Sequence, residues 1–506
     1  MMVDRIMALW PEITLFVGVV VVLFVGLSYN APARRALPWI TGVALVIAGI
    51  IASQSAVNAS LLPGLAPFLR TLTCIVALLL LLLCSGLAPE KEGKFDPHTS
   101  HRAEFYAFFL LSVTGVMLTT TATDLIWLFL ALELTSLPTY VMVATARPGL
   151  LSREAAVKYF FLGAFGAAIF LYGFALLYGG TGTLHLAGMA RVFAADGVNG
   201  LALAGLILSI LGVGFKIAAV PMHLYTPDVY QGAATPVSAF LAFMPKTAGF
   251  VAILLLVSTI SAADQPMPHA LEAVLVAMAA VTMTVGNVLA LLQTNIKRIL
   301  AYSSIAHSGY MLIGIIAGPG DGSLVSSGYA AVAFYLLCYG FMNLGAFGVL
   351  ASLRRRGIEV ENLPQLKGLC RTNPLLGWTM VLCAGSLMGL PPLLGFFGKL
   401  YLFAAGINNG FIALVVIAGL NSAIAAFYYL RLAVPPIAHE PTEDSQDVEG
   451  NRLPARVIAS VVSAVSVLVL VVPVSMLIQA AADATLVSEV SSGESTAQAP
   501  DEAVTP

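Results

Sequence analysis

Long apolar runs separated by short polar loops fill the chain from residue 8 to residue 480. A hydrocarbon core of about 30 Å takes roughly 20 apolar residues in a helix. Fourteen stretches have that character: 8–28, 37–55, 67–88, 103–122, 124–145, 155–179, 199–221, 233–260, 269–292, 299–318, 324–352, 373–405, 407–434 and 455–480. Their apolar positions are continuous rather than alternating, which predicts membrane-spanning helices and not barrel strands. Residues 183–195, TLHLAGMARVFAA, are short and amphipathic and are expected to lie at the membrane surface. Residues 483–506 are polar and acidic, the pattern of a disordered tail. The opening MMVDRIMALWPEITLFVG lacks a small-residue cleavage pattern and reads as a retained first span.

Two spans are interrupted. GVGFKIAAVP (212–221) and GLPPLLGFFGK (389–399) put glycine and proline inside spans seven and twelve, each next to a lysine. Proline removes a backbone donor, and unwound backbone in a bilayer persists only where protein or water satisfies it. Each break therefore predicts a hydrated pocket. The breaks are five spans apart, an odd offset, so two five-helix units would run in opposite directions, the pattern of inverted repeats. The predicted organisation is three N-terminal spans (1–102), repeats over 103–260 and 261–437, a cytoplasmic loop with the fourteenth helix (438–482), and the tail. The match between repeats is incomplete: span ten has no carboxylate answering Glu133, and span thirteen no central lysine answering Lys246.

Composition narrows the class further. Hydrophobic residues make up 59% of the 506 and charged residues 10%, against about 25% charged in soluble domains. The fold class is an all-α polytopic membrane protein. A net charge of −2 suggests no nucleic-acid partner, and no glycine-rich loop is placed to hold a nucleotide. The five cysteines are scattered without paired spacing and read as packing residues, neither an iron–sulfur cradle nor a disulfide framework. Of the 24 lysines and arginines, seventeen fall in loops after odd-numbered spans, three (Arg5, Arg70, Arg191) on the other side, and four within spans. The positive-inside rule then places both termini outside the cytoplasm.

The charges inside the spans are the candidate chemistry. Glu133 lies mid-span in DLIWLFLALELTSLPTYVMV, Lys158 in the first turns of span six, Lys216 late in span seven, Lys246 near the middle of span eight, and Lys399 after the break in span twelve. A lysine or acid at a helix centre costs about 2.5–3.5 kcal/mol on insertion scales, so such residues call for a reason. Lys158 either snorkels to the surface beside Arg153 and Glu154 or belongs to a relay. Glu133 either braces one lysine or exchanges protons with it. His223 and His307 are packing residues or relay members; an imidazole titrates near neutral pH and can pass protons. His223 follows Lys216 by two helical turns, if the helix continues through Pro221. No metal-ligand spacing joins these residues. Lysines argue against a sodium or potassium cage, which would use oxygens, and the predicted path is Glu133, Lys216, Lys246, His307 and Lys399 with water between.

Five segments carry a resemblance: ALWPEITLFVG, FLALELTSLPTYVMVA, GFKIAAVPMHLYTPDVYQGAATPVSAF, NIKRILAYSSIAHSGYMLIG and GLPPLLGFFGKLYLF. In order and spacing the chain resembles, over about residues 8–480, the subunit N family of respiratory complex I, the proton-pumping NADH:quinone oxidoreductase. The resemblance implies fourteen spans, two inverted five-helix units, and proton handling by Glu133, Lys216, Lys246 and Lys399, with Lys158, His223 and His307 as further relay candidates. It also implies that this chain holds no cofactor, that NADH, FMN, iron–sulfur clusters and quinone belong to other subunits, and that membrane subunits M and K are its neighbours in a bacterial inner membrane. Where the family has Trp, Glu and Pro, this chain has Tyr225, Gln231 and Ala234, and Pro245 precedes Lys246 where a small residue is usual. The competing readings are a subunit of a multisubunit cation/proton antiporter and a structural membrane subunit that only braces partners. A brace would tolerate alanine at the buried lysines; a proton path would not.

Overall fold

A computed structural model of the chain describes residues 8–28, 30–55, 61–84, 101–147, 149–320, 325–355, 358–442, 448–450 and 454–488. It is predominantly helical. The N-terminal part holds α1 (Trp10–Gly26), α2 (Ala31–Arg35), α3 (Leu37–Gln54) and α4 (Leu65–Leu83). Next come α5 (His101–Thr119), α6 (Leu125–Thr145), α7 (Leu150–Thr181), α8 (Leu186–Asp196), α9 (Gly200–Val213), α10 (Thr226–Gly232) and α11 (Thr235–Ser261). The C-terminal part holds α12 (His269–Leu291), α13 (Ile296–Ala317), α14 (Gly328–Ser352), α15 (Leu369–Thr372), α16 (Pro374–Met388), α17 (Leu394–Asn408), α18 (Ile412–Ala438), α19 (Pro454–Val469) and α20 (Val474–Ala484). Three short strands, β1 (Leu353–Arg355), β2 (Ile358–Glu359) and β3 (Val448–Gly450), form an antiparallel sheet in the order β2-β1-β3.

Among the described residues nine helices are long and apolar enough to cross a membrane, ten if α19 and α20 count as one span. Helices α11 and α14 are buried along their spanning stretches and α13 nearly so, which makes these three the centre of the bundle. The outer helices α3, α7 and α18 bury only a third of theirs and turn the rest outward. With lipid as the solvent, helices associate through close packing of small residues rather than hydrophobic burial. Such contacts join α7 to α9, where a Cβ on Gly212 would stand 2.5 Å from the Phe170 backbone nitrogen. The pair α12 and α13 is joined in the same way, by Gly286 against the Ala306 nitrogen.

The predicted breaks are present. Helix α9 ends at Val213, the chain turns through residues 214–225, and α10 resumes at Thr226. Helix α16 ends at Met388, Gly389 caps it at φ +89°, and α17 begins at Leu394. Gly389 serves twice, because a Cβ there would also stand 3.1 Å from Lys399 Cδ. Pro245 leaves α11 unbroken. The amphipathic segment forms α8, burying Leu186, Met189, Ala190 and Phe193 at helical spacing.

Other expectations are corrected. The fourteenth predicted span is not straight: α19 and α20 meet at 95° around residues 470–473, where Pro473 withholds a backbone donor. Arg70, counted among the loop charges, is fully buried in α4 and pairs with Glu12 of α1. Arg456 is likewise fully buried, in α19, and donates to the Ala351 carbonyl. Arg5, Lys91, Lys94 and all of the tail beyond residue 488 lie outside the described residues.

The sheet carries a loop anchor. Lys297, fully buried at the start of α13, pairs with Glu359 at 2.7 Å and Glu361 at 3.2 Å. Arg354 pairs with Glu359 at 3.1 Å, and the Thr235 hydroxyl donates to it at 2.7 Å. Burial alone would push the Glu359 carboxyl up, but Lys297, Arg354 and Thr235 outweigh it and hold the carboxyl at about 2, below the ordinary 4.5. A depressed folded-state pKa contributes stability that is fully present above the unfolded value and disappears as pH falls through the folded one. The anchor therefore contributes about 3 kcal/mol above pH ~4.5 and loses it toward pH ~2. In thermal melts of the purified membrane protein, Glu359→Gln is expected to lower the midpoint near neutral pH, and the gap to the parent should close as pH drops through that window. A gap unchanged by pH would show that the carboxylate charge is not what holds the loop.

Candidate functional site

The sequence places Glu133 on α6, Lys216 in the break after α9, Lys246 on α11, His307 on α13 and Lys399 on α17; packing buries the three lysines and the histidine, with Glu133 partly exposed beside Lys216. Lys216 is held in the turns because no helix continues there. Tyr225 hydroxyl donates to the Phe215 carbonyl at 2.8 Å, and Ser308 of α13 donates to the Ile217 carbonyl, so the freed backbone is partly satisfied by side chains. Lys216 Nζ lies 3.0 Å from Glu133 Oε1, donates also to Ser136 Oγ, and lies 3.4 Å from the Leu132 carbonyl. The Lys216 side chain is 1% exposed and Glu133 19%, so the pair reaches from the interior toward the protein surface.

Among the described residues Lys246 has no carboxylate partner. It donates to the backbone carbonyl of Ser304 and, at 2.7 Å, to its hydroxyl, with Nζ 4.8 Å from the Tyr339 ring centroid. Lys399 likewise has no carboxylate partner among the described residues: it donates to the Met388 carbonyl at 2.8 Å, the free end of the broken α16, and to Ser422 Oγ at 3.1 Å, with Tyr310 below at 5.2 Å. The helix break thus supplies the acceptor its lysine uses. His307 is clamped at both ring nitrogens, Nδ1 against the Tyr335 hydroxyl at 2.6 Å and Nε2 against Tyr429 at 2.8 Å. Tyr429 also shares a hydrogen bond with Ser303. A neutral imidazole donates from one nitrogen and accepts at the other, so one tyrosine must donate where the other accepts, and the chain has a direction that reverses with the tautomer.

Two sequence candidates stand apart from this line. Lys158 is 43% exposed and pairs with Glu154 and Asp228, each at 2.8 Å. Asp228 also pairs with Arg298 at 2.8 Å, so α7 and α13 are tied through the first turn of α10. His223 is buried on the unwound segment, not two helical turns from Lys216, and among the described residues no hydrogen bond joins it to the lysines. Sequence reasoning passed over Tyr335, Tyr339, Tyr429, Ser136, Ser303 and Ser304. For Ser303 and Ser304 the signal available was the hydroxyl-rich run AYSSIAHSGY around His307 on α13. No group of three His, Cys, Asp or Glu side chains among the described residues is placed to hold a metal ion.

Chemically, the arrangement is a line of exchangeable N–H and O–H groups across an apolar bundle, with one carboxylate at its surface end. Burial favours a neutral amine and a nearby carboxylate favours the ammonium, so the protonation of a lysine in such a place depends on what stands beside it.

Residues 122–425 match the family described as NADH:quinone oxidoreductase/Mrp antiporter membrane subunits. The chain is 41% identical over 394 residues to NADH-quinone oxidoreductase subunit N of Rhodospirillum rubrum, covering 77% of each chain. It is 38% identical over 483 residues to the subunit N of Trichlorobacter lovleyi, covering 94% of this chain and 96% of that one. Among solved structures, a chain in respiratory complex I from Thermus thermophilus superposes with a TM-score of 0.76 at 33% identity, over 94% of this chain and 99% of that one.

Proposed function

The chain belongs to the NADH:quinone oxidoreductase/Mrp antiporter membrane family, in its subunit N branch, and from that membership we propose that it translocates protons as an antiporter-like membrane subunit of complex I. The observation that carries this reading is the buried line of Lys216, Lys246, His307 and Lys399, with the Glu133 carboxylate on Lys216 at its surface end.

In this reading Lys216 trades a proton with Glu133, Lys246 and His307 carry it across the centre, and Lys399 releases it at the second break. Lys158 and Asp228 fasten the half-helix α10 rather than carry the proton, and His223 lines the unwound segment. The subunit holds no redox group itself: NADH, FMN, iron–sulfur clusters and quinone belong to other subunits, whose reaction drives the movement. Its partners are other membrane subunits of the complex, with M and K as the adjoining ones, in the inner membrane of a bacterium.

The path fits fourteen crossings. To the nine long helices and the bent pair α19–α20 are added α1, α5, the broken α9–α10 and the broken α16–α17. Two inverted five-helix units over 103–260 and 261–437 would each hold one broken helix and one lysine at the break. Support comes from packing at equivalent places: Gly115 of α5 approaches the Thr135 backbone of α6, as Gly286 of α12 approaches α13. The three N-terminal spans, the loop and last span after 437, and both termini outside the cytoplasm complete the arrangement.

Lys246→Ala tests the function. In inverted membrane vesicles with the complex assembled, NADH-driven proton uptake and quinone reduction are expected to fall together by roughly 10²-fold, the usual contribution of a proton-transfer group. Unchanged proton uptake and quinone reduction would overturn the reading, since a brace tolerates alanine there.

A further inference from the structure

The line is not a continuous chain of hydrogen bonds, and one of its breaks falls between Lys246 and His307. Lys246 is bonded only to Ser304, and His307 only to Tyr335 and Tyr429, so among the described residues no hydrogen bond joins the first lysine side to the histidine side. Tyr339 of α14 stands between them. Its ring centroid is 4.8 Å from Lys246 Nζ and 5.2 Å from that of His307, and it sits one helical turn beyond Tyr335. The Tyr335 ring in turn packs against Gly398, the residue before Lys399.

Tyr339 is fully buried, and its hydroxyl faces Ser304, the partner of Lys246, but makes no hydrogen bond within 3.5 Å among the described residues. A buried hydroxyl left unpaired costs about 1–3 kcal/mol, and phenylalanine would make the same ring contacts without that cost. Packing alone therefore gives no reason for the oxygen.

We propose that Tyr339 is a proton-transfer residue whose hydroxyl closes the gap between Lys246 and the His307 clamp. This rests on the proton-translocating reading above. The step is a relay without net oxidation. An N–H bond of the Lys246 ammonium breaks, and the Tyr339 oxygen takes that proton as its own O–H proton passes to the clamp. His307 gains a proton at one nitrogen and gives one up at the other, and an N–H bond forms on the Lys399 amine. Each hydroxyl ends with one O–H bond, as it began, and a return rotation resets it.

The test is Tyr339→Phe in the whole complex, in native membrane vesicles, with thermal inactivation measured beside activity. Proton uptake and the coupled quinone reduction are expected to fall at least ~tenfold, while the complex assembles and its thermal midpoint is equal to or above the parent's. A purely structural hydroxyl cannot give lower activity with undiminished stability. Activity within about twofold of the parent overturns the inference, as does a loss of activity that tracks a lowered midpoint. Lys246→Ala run in parallel separates the failures: if it too is silent, the proton-translocating reading falls, and if it alone is inactive, only Tyr339 is excluded. Should Tyr339→Phe not assemble, 3-fluorotyrosine at 339 keeps ring and hydroxyl while making the phenol more acidic. The pH profile of proton uptake is then expected to move to lower pH, and an unmoved profile overturns the inference.

Discussion

Lys216→Ala is expected to abolish coupled turnover, with NADH-driven proton uptake and quinone reduction falling together by 10²-fold or more in a complex that still assembles. Assembly survives because what is lost is local. Ser136 keeps its bond to the Leu132 carbonyl, the unwound segment keeps the Tyr225 and Ser308 contacts, and Glu133 reaches the surface enough to find other partners. Function does not survive, because among the described residues Glu133 has no other cation within ion-pair distance and the line loses its first basic group. Lys216→Arg separates proton transfer from fixed charge. A guanidinium stays protonated at any accessible pH, so it can pair with Glu133 but cannot release a proton, and it is expected to be nearly as inactive as alanine. An arginine variant with normal turnover would mean that Lys216 acts as a standing positive charge. An alanine variant with normal turnover would remove it from the path.

What the sequence made legible follows from how each feature is encoded. The spans and the two breaks are local signals: twenty apolar residues, or glycine and proline beside a lysine, are read without knowing what packs against them. Lys216, Lys246 and Lys399 stand out because a charge in an apolar run is costly whatever its neighbours. The tyrosines gave no such signal. Tyr335, Tyr339 and Tyr429 are ordinary in apolar helices until α13 brings His307 between α14 and α18. Ser304 is equally silent, since helical serines commonly satisfy themselves on their own backbone; only the arrival of Lys246 from α11 gives it a role.

The misreadings have the same cause. Lys158 stays open by sequence between a snorkelling residue and a relay member, because Asp228, the partner that holds it at the protein surface, is seventy residues on. The turn between α19 and α20 escaped because LVVP is as apolar as the helices it joins. Arg70 was assigned to a loop because it falls near the start of its span, and its partner is on another helix.

That partner gives the second large effect, on assembly rather than turnover. Arg70→Ala is expected to destabilise the N-terminal helices by about 3–5 kcal/mol, the cost of leaving a buried charge without its partner, and to deplete the assembled complex in the membrane. Arg70 Nε lies 2.7 Å from Glu12 Oε1 with the two side chains 1% and 4% exposed, and a terminal nitrogen of Arg70 donates to the Ala8 carbonyl at 3.1 Å. Helix α1 packs mainly on α3 and α5, so this pair is its tie to α4. Removing the arginine strands the Glu12 carboxylate in an apolar setting and frees the Ala8 carbonyl at the helix start. The double variant Glu12→Gln/Arg70→Met removes both charges and keeps most of the volume, and replacing a buried pair by uncharged groups is often neutral. It is therefore expected to recover most of the assembled complex and the thermal midpoint, with proton uptake per NADH unchanged because neither residue is on the lysine line. A single variant that assembles and melts like the parent would show the pair to be dispensable. A double variant as poor as the single would show that the charges themselves, and not merely their mutual compensation, are what the N-terminal helices need.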